Sequence, residues 1–257
     1  MSTSEGTGHS RDVQMPFTSH LAELRFRLIK STLAIAVAFA ACYAFVDDIF
    51  ALLAAPVRSL HIEGLTLIGT TVTEAFFTRM KVSFVAAIIV ASPVWLWQVW
   101  QFVAPGLYEH EKRYTRSFVF FGSFFFAAGA AFCYLVVIHF GLGFLLHRYE
   151  AIHIQPLLQI GEYLSLVSRL VLAFGIMFEL PVLAFFLARV GIIDHRFLIN
   201  NSRYGLIAIA LLAAVLTPPD LISQVLLMAP LMLLYGTSIA AAYAARYRMN
   251  RLERDAE

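Results

Sequence analysis

The chain has 257 residues, 60% of them hydrophobic and only 14% charged, with a formal net charge of +2. Its mean hydropathy is +0.75. Soluble domains carry about 45–50% apolar and about 25% charged residues, so this composition excludes a soluble core and reads as an integral membrane protein. The small net charge gives no footing for nucleic acid as a partner.

Residues 1–15 are polar and lack the apolar core of a cleavable signal peptide. They read as a flexible cytoplasmic N-terminus, ahead of a single membrane domain over 16–243 and a charged tail over 244–257. The first apolar run is then expected to stay as an anchor. It is preceded by "SHLAELRFRLIKS", residues 19–31. At 100° per residue, Leu21, Leu24 and Leu28 share one face, while His20, Glu23, Arg27 and Lys30 share the other. Arg25 falls near the leucines. The pattern alone predicts an interfacial anchor with a Glu23–Arg27 pair at i,i+4 spacing.

A helix needs about 20 apolar residues to cross a core of about 30 Å. Six stretches qualify as crossings. The first runs from about Leu28 to Val46. The second starts near Phe76, is free of charge from Val82 to Trp100, and carries Arg79 and Lys81 near its start, where they can snorkel. The third covers about Ser117 to Ile138, and the fourth about Leu170 to Ala188. The fifth, Tyr204 to Leu216, is short, and the sixth spans about Leu221 to Ala242. Long folded loops are expected at Asp47–Glu74 and from about His139 to Arg169. The tight "TPPD" turn, Thr217–Asp220, joins the last two crossings, with Asp220 placed to cap the helix that follows.

Cations cluster on one side of this plan: Arg11, Arg25, Arg27, Lys30, Lys112, Arg113, Arg116, Arg189, Arg196, Arg203, Arg246, Arg248, Arg251 and Arg254 stand against Arg58, Arg148, Arg169 and the snorkelling Arg79 and Lys81. The excess of positive charge predicts that both termini are cytoplasmic. Trp95, Trp97, Trp100 and Tyr108 read as an aromatic belt at that surface.

Enzyme signatures are missing from the sequence: it has no G-x-S-x-G, P-loop or G-x-G-x-x-G, and "HEKRY" puts Tyr114 where a zinc site needs its second His. Cys42 and Cys133 lie inside apolar runs and read as buried small hydrophobes. No catalytic, metal or cofactor site is expected. Glu179 stands out, because a charged carboxylate at the middle of a span costs about 2.5–3.5 kcal/mol on insertion scales. It is either a functional group or a protonated side chain hydrogen-bonded within the bundle. Gln224 and Thr217 offer further polar groups within the membrane. A proton-coupled secondary transporter using Glu179 is the alternative these residues leave open.

Four segments in order, "HLAELRFRL" at 20–28, "SPVWLWQVWQFVAPGLYEHEKR" at 92–113, "FGIMFELPV" at 174–182 and "TPPDLISQVLLMAPLMLLY" at 217–235, resemble the TatC family of the twin-arginine protein translocase. The resemblance implies an all-α membrane protein of six transmembrane helices in a concave, glove-like bundle in a bacterial or archaeal cytoplasmic membrane. It also implies a receptor for signal peptides carrying paired arginines. Such a receptor would assemble as an oligomer with the single-span partners TatA and TatB, and export of folded proteins would be driven by the proton-motive force. By the same resemblance Glu23, Arg25, Phe102, Pro105 and Glu111 would bind the signal peptide. Glu179, Thr217 and Gln224 would receive a partner within the membrane. Pro56 and Asp220 would be structural on the periplasmic side. The family usually carries an acidic residue after the aromatic of the sixth span, where this chain has Tyr235-Gly236, so any role of a carboxylate there is absent or moves elsewhere.

Overall fold

The computed structural model describes residues 17–59, 66–103, 115–150, 157–217 and 220–254. Apart from two short strands the described chain is helical. Helix α1, Phe17–Ala44, leads without a linker of any length into α2, Val46–Ser59. Strand β1, Thr66–Ile68, then precedes α3, Glu74–Val90, and α4, Ser92–Val103. Helix α5, Thr115–Phe132, continues through a π-helical turn, Cys133–Ile138, into α6, His139–Glu150. Strand β2, Leu157–Gln159, pairs in parallel with β1 and leads directly into α7, Ile160–Arg189. The chain closes with α8, His195–Asn200, α9, Ser202–Leu216, and α10, Leu221–Arg254.

Four stretches are long and apolar enough to cross a membrane: Leu21–Ala44, Ser117–Leu146, Ile160–Arg189 and Leu221–Tyr247. A fifth is α3 with α4, which bend by 58° at Ala91. Pro93 causes the break, since it supplies no amide to the preceding turn. The Trp95 indole donates to the Ile88 carbonyl at 3.0 Å, occupying an acceptor beside the bend. Helix α9 has 15 residues and rises about 22 Å, short of the hydrocarbon thickness as the sequence predicts.

Two expected loops are largely helical. The predicted loop from His139 is α6, because the π turn carries the helix past His139 and the glycines that follow. The fourth crossing begins at Ile160 and not near Leu170. Glu162 sits in its first turn, where the helix dipole favours a carboxylate. Helix α7 ends at Gly191, whose φ of 81° only glycine adopts cheaply.

Pro56 lies inside α2 and is buried. It leaves the Leu52 carbonyl without its amide donor. The Tyr134 hydroxyl from the π turn donates to that carbonyl at 2.7 Å, and the Tyr163 hydroxyl of α7 donates to Leu53 at 2.8 Å. Two tyrosines therefore suspend α2 from the bundle, and the proline creates one of the acceptors they use.

Helix α7 is central, packing against α5, α10 and α3, while α1 meets α3 and α4. The core is apolar, with Phe126, Phe174, Leu164 and Leu231 fully enclosed. Leu28, Leu33 and Val37 of α1 and Leu211 and Val215 of α9 are exposed, as lipid-facing positions would be. Trp100 is not in an interfacial belt. It is 3% exposed and stacks on Phe118 at 4.1 Å with Phe186 edge-on at 4.0 Å. Trp95 likewise packs edge-on to Phe126 at 5.3 Å. At this kink, filling the core outweighs placing the indoles among headgroups. Tyr108 lies outside the described residues.

Candidate functional site

At the end of the bundle opposite the strands, α1 begins with its leucines turned outward and with Glu23 and Arg27 turned inward. Leu21, Leu24 and Leu28 are exposed, whereas Glu23 and Arg27 are half-buried. Arg27 Nε donates to Glu23 Oε1 at 3.0 Å, and its Nη2 reaches the same oxygen. Its Nη1 donates to Gln101 Oε1 on the last turn of α4 at 2.5 Å. The predicted i,i+4 pair therefore exists, and Arg27 also ties α1 to α4. Arg25 is exposed on the outer side of the same turn, and Lys30 lies over the Phe26 ring at 4.3 Å. Phe102 follows Gln101 and is half-buried. Pro105 and Glu111 lie outside the described residues.

Glu179 sits about two-thirds of the way along α7 and is 6% exposed. Neither carboxylate oxygen has a hydrogen-bond partner among the described residues. The carboxylate is turned toward α5 at Gly122, where a Cβ would lie 3.2 Å from Oε2. Glycine makes the room that this acid occupies. Two turns further along the same face of α5, a Cβ at Gly129 would lie 2.6 Å from the Phe174 carbonyl oxygen, so α5 and α7 approach almost backbone to backbone.

The other two polar groups the sequence singles out within the membrane, Thr217 and Gln224, are already engaged. Thr217 Oγ1 donates to the Ala213 carbonyl at 2.8 Å, and Gln224 Nε2 donates to the Ala210 carbonyl at 3.1 Å, joining α10 to α9. Glu179 and these two residues are on different helices and form no single cluster by hydrogen bonding. Asp220 accepts from the Ser223 amide at 2.7 Å and caps α10. That hydrogen bond, from the amide and then the hydroxyl of Ser223, holds its pKa below the usual value. Gly236 is exposed and has open space where a side chain would stand. Tyr235 instead leans on Gly205 and donates to the Leu198 carbonyl at 2.7 Å.

Sequence reasoning missed two features at the strand end. Glu74 accepts from the Thr70 amide at 2.7 Å, the Thr71 amide at 3.3 Å and the Gly161 amide at 2.7 Å, which locks the start of α3 to the start of α7. Its place just before an apolar run, with glycine opening the fourth crossing, was the available signal. The second feature is the pairing of Lys81 with Ser165, across 84 positions of sequence, a separation that no local pattern reports.

Among the described residues no group of three or more His, Cys, Asp or Glu side chains could hold a metal. The polar chemistry sits at the two ends of the bundle and in seams between helices. This defines a multi-pass helical membrane protein.

The sequence model of the Sec-independent protein translocase protein (TatC) family matches residues 19–230. The chain is 41% identical over 227 residues to the Sec-independent protein translocase protein TatC of Desulforapulum autotrophicum, covering 88% of this chain and 84% of that protein. It is 45% identical over 221 residues to the TatC of Campylobacter jejuni, covering 86% and 90% of the two. A crystal structure of a twin-arginine translocase receptor, TatC, superposes with a TM-score of 0.80 at 36% identity, over 88% of this chain and 99% of that one. The chain belongs to the TatC family of protein translocase subunits.

Proposed function

We propose that this protein is the receptor and core subunit of a twin-arginine translocase, with six crossings in a glove-like bundle and both termini in the cytoplasm of a bacterial or archaeal cell. Its cytoplasmic end binds the paired arginines of a signal peptide. It assembles with TatA- and TatB-like single-span proteins to export folded cargo, using the proton-motive force.

The observation that carries this reading is the Glu23 carboxylate, held by Arg27 at the mouth of α1 and α4. A carboxylate suits a guanidinium because the two match in a planar, bidentate way. Arg27 already engages Oε1 of this carboxylate through two donors, so the guest arginine competes with Arg27 for the acid and shifts it toward Gln101. Glu111 lies eight residues beyond the end of α4 at Val103, and eight residues extend to at most about 29 Å. That reach allows it to serve as the second acid, with Pro105, Phe102 and Arg25 completing the proposed peptide site. Glu179, Thr217 and Gln224 receive the partner helices. Gln224 uses one donor on Ala210 and has further hydrogen-bonding capacity to offer.

The test is photocrosslinking of a signal peptide to the protein in membranes. Glu23→Ala and Glu111→Ala are expected to lose the adduct in a salt-dependent way, and a Lys-Lys peptide to crosslink poorly to the wild type. Equal crosslinking in both variants contradicts the assignment.

A further inference from the structure

Near the strand end, a groove of about 1020 Å³ runs between α3, α6 and α7. Two cations enter it. Lys81 Nζ donates to Ser165 Oγ at 2.6 Å, and Arg169 Nε donates to the Ser165 carbonyl at 3.3 Å. Two full positive charges therefore converge on one neutral residue. Both side chains are exposed, and neither makes an ion pair among the described residues. Arg79, two positions before Lys81, is by contrast paired with Asp47.

Depth makes this arrangement unusual. Lys81 lies seven residues into α3, about 10 Å along its axis, and Arg169 nine residues into α7, about 14 Å. Exposed cations at such depth in a bilayer are expensive without a counter-charge. The acids lining the same groove do not provide one. Glu74 is taken up by the Thr70, Thr71 and Gly161 amides, and Asp220 by the Ser223 amide. Glu162 is exposed and stands one turn above Ser165, on the face of α7 that also carries Arg169, nearer the aqueous end. Below the cations the wall is aliphatic, with Leu142, Leu145, Leu146 and Leu166.

The geometry points to a binding site for one phospholipid with an amine headgroup. The phosphodiester sits between Lys81 and Arg169, the ammonium rises toward Glu162, and an acyl chain lies along the leucines. Lys81, Arg169, Glu74, Glu162 and Asp220 together sum to one negative charge. A zwitterionic headgroup therefore fits the groove better than an anionic one. This site is separate from the signal-peptide reading and survives that reading's failure.

The test uses the full chain, equilibrated in vesicles containing phosphatidylethanolamine, phosphatidylglycerol and phosphatidylcholine, then extracted in mild detergent. Retained lipid is counted per protein by mass spectrometry. The wild type is expected to retain phosphatidylethanolamine. The double variant Lys81→Gln/Arg169→Gln is expected to lose it by about tenfold or more, the scale of a lost charge-assisted hydrogen bond. Glu162→Gln is expected to shift retention toward phosphatidylglycerol. Lys81→Arg, which keeps the charge, and Arg79→Gln, outside the groove, retain lipid as the wild type does. Undiminished retention by the double variant, or equal loss in Arg79→Gln, overturns the site. Displacement of the lipid by millimolar inorganic phosphate also overturns it, by showing a free-anion site.

Discussion

Replacing Arg27 by Gln is expected to tighten signal-peptide binding, whereas Glu23→Gln is expected to weaken it. Arg27 holds the Glu23 carboxylate through two donors and is itself held by Gln101. An incoming guanidinium competes with this internal partner, which engages Oε1 of the carboxylate and not Oε2. An i,i+4 pair on a helix contributes about 0.3–0.5 kcal/mol, so its removal strengthens binding by about twofold, since 1.4 kcal/mol is a tenfold change. Losing the carboxylate removes hydrogen bonds to a charged acceptor, each about 1.5–3 kcal/mol, and weakens binding by about tenfold or more. The assay is anisotropy of a fluorescent arginine-pair peptide on the purified protein, titrated at two salt concentrations. If Glu23 served only to anchor Arg27, both substitutions would break the same pair and change affinity alike. Equal weakening by Arg27→Gln and Glu23→Gln therefore refutes the competition argument.

Other substitutions probe the frame that holds this site. Tyr134→Phe strands the Leu52 carbonyl that Pro56 leaves open, and is expected to destabilise the fold by about 1–3 kcal/mol, read as a fall in Tm in detergent. Gly129→Ala puts a Cβ 2.6 Å from the Phe174 carbonyl oxygen, and the forced separation of α5 from α7 is expected to cost about 1–3 kcal/mol in the same assay. Gly236→Ala meets open space and is expected to stabilise α10 by about 0.5–1 kcal/mol, an increase in Tm without loss of peptide binding. The folded pKa of Asp220 is lowered by Ser223, so its contribution is complete above the unfolded pKa of about 4 and disappears as pH falls through the lower folded value. Asp220→Asn keeps a good cap and is expected to be less stable than the wild type at neutral pH, with the two Tm curves converging in acid.

The long crossings were legible because apolar length is a local property, but the 58° bend at Ala91 was not: the second crossing reads as one unbroken apolar run through Pro93. The helical nature of residues 139–150 was not legible. A π turn absorbs the irregularity that His139 and the nearby glycines announce, and the sequence offers no count of amides and carbonyls to reveal it. The Glu23–Arg27 pair followed from spacing, yet its orientation did not. In a membrane, a helix turns its charges toward the bundle and its leucines toward lipid, and composition reads the same either way. Trp100 shows a similar ambiguity: an indole at a helix end suits both a headgroup belt and an aromatic core, and the packing of Phe118 and Phe186 decides it.

Glu179 gains a meaning from its neighbour that its own position does not give. An unpartnered acid in a bundle is costly wherever it lies, but here it faces Gly122, and a single added methyl at that glycine would crowd it. The seam between α5 and α7 is thus closely packed at Gly129 and carries an unsatisfied polar group at Gly122. Such a seam is stable as long as it stays dry, and it gains a hydrogen bond if a polar side chain from an approaching helix reaches the carboxylate. The same enclosure that makes the acid expensive also shuts it off from outside, so a partner helix could satisfy it only if the seam between α5 and α7 opened at Gly122.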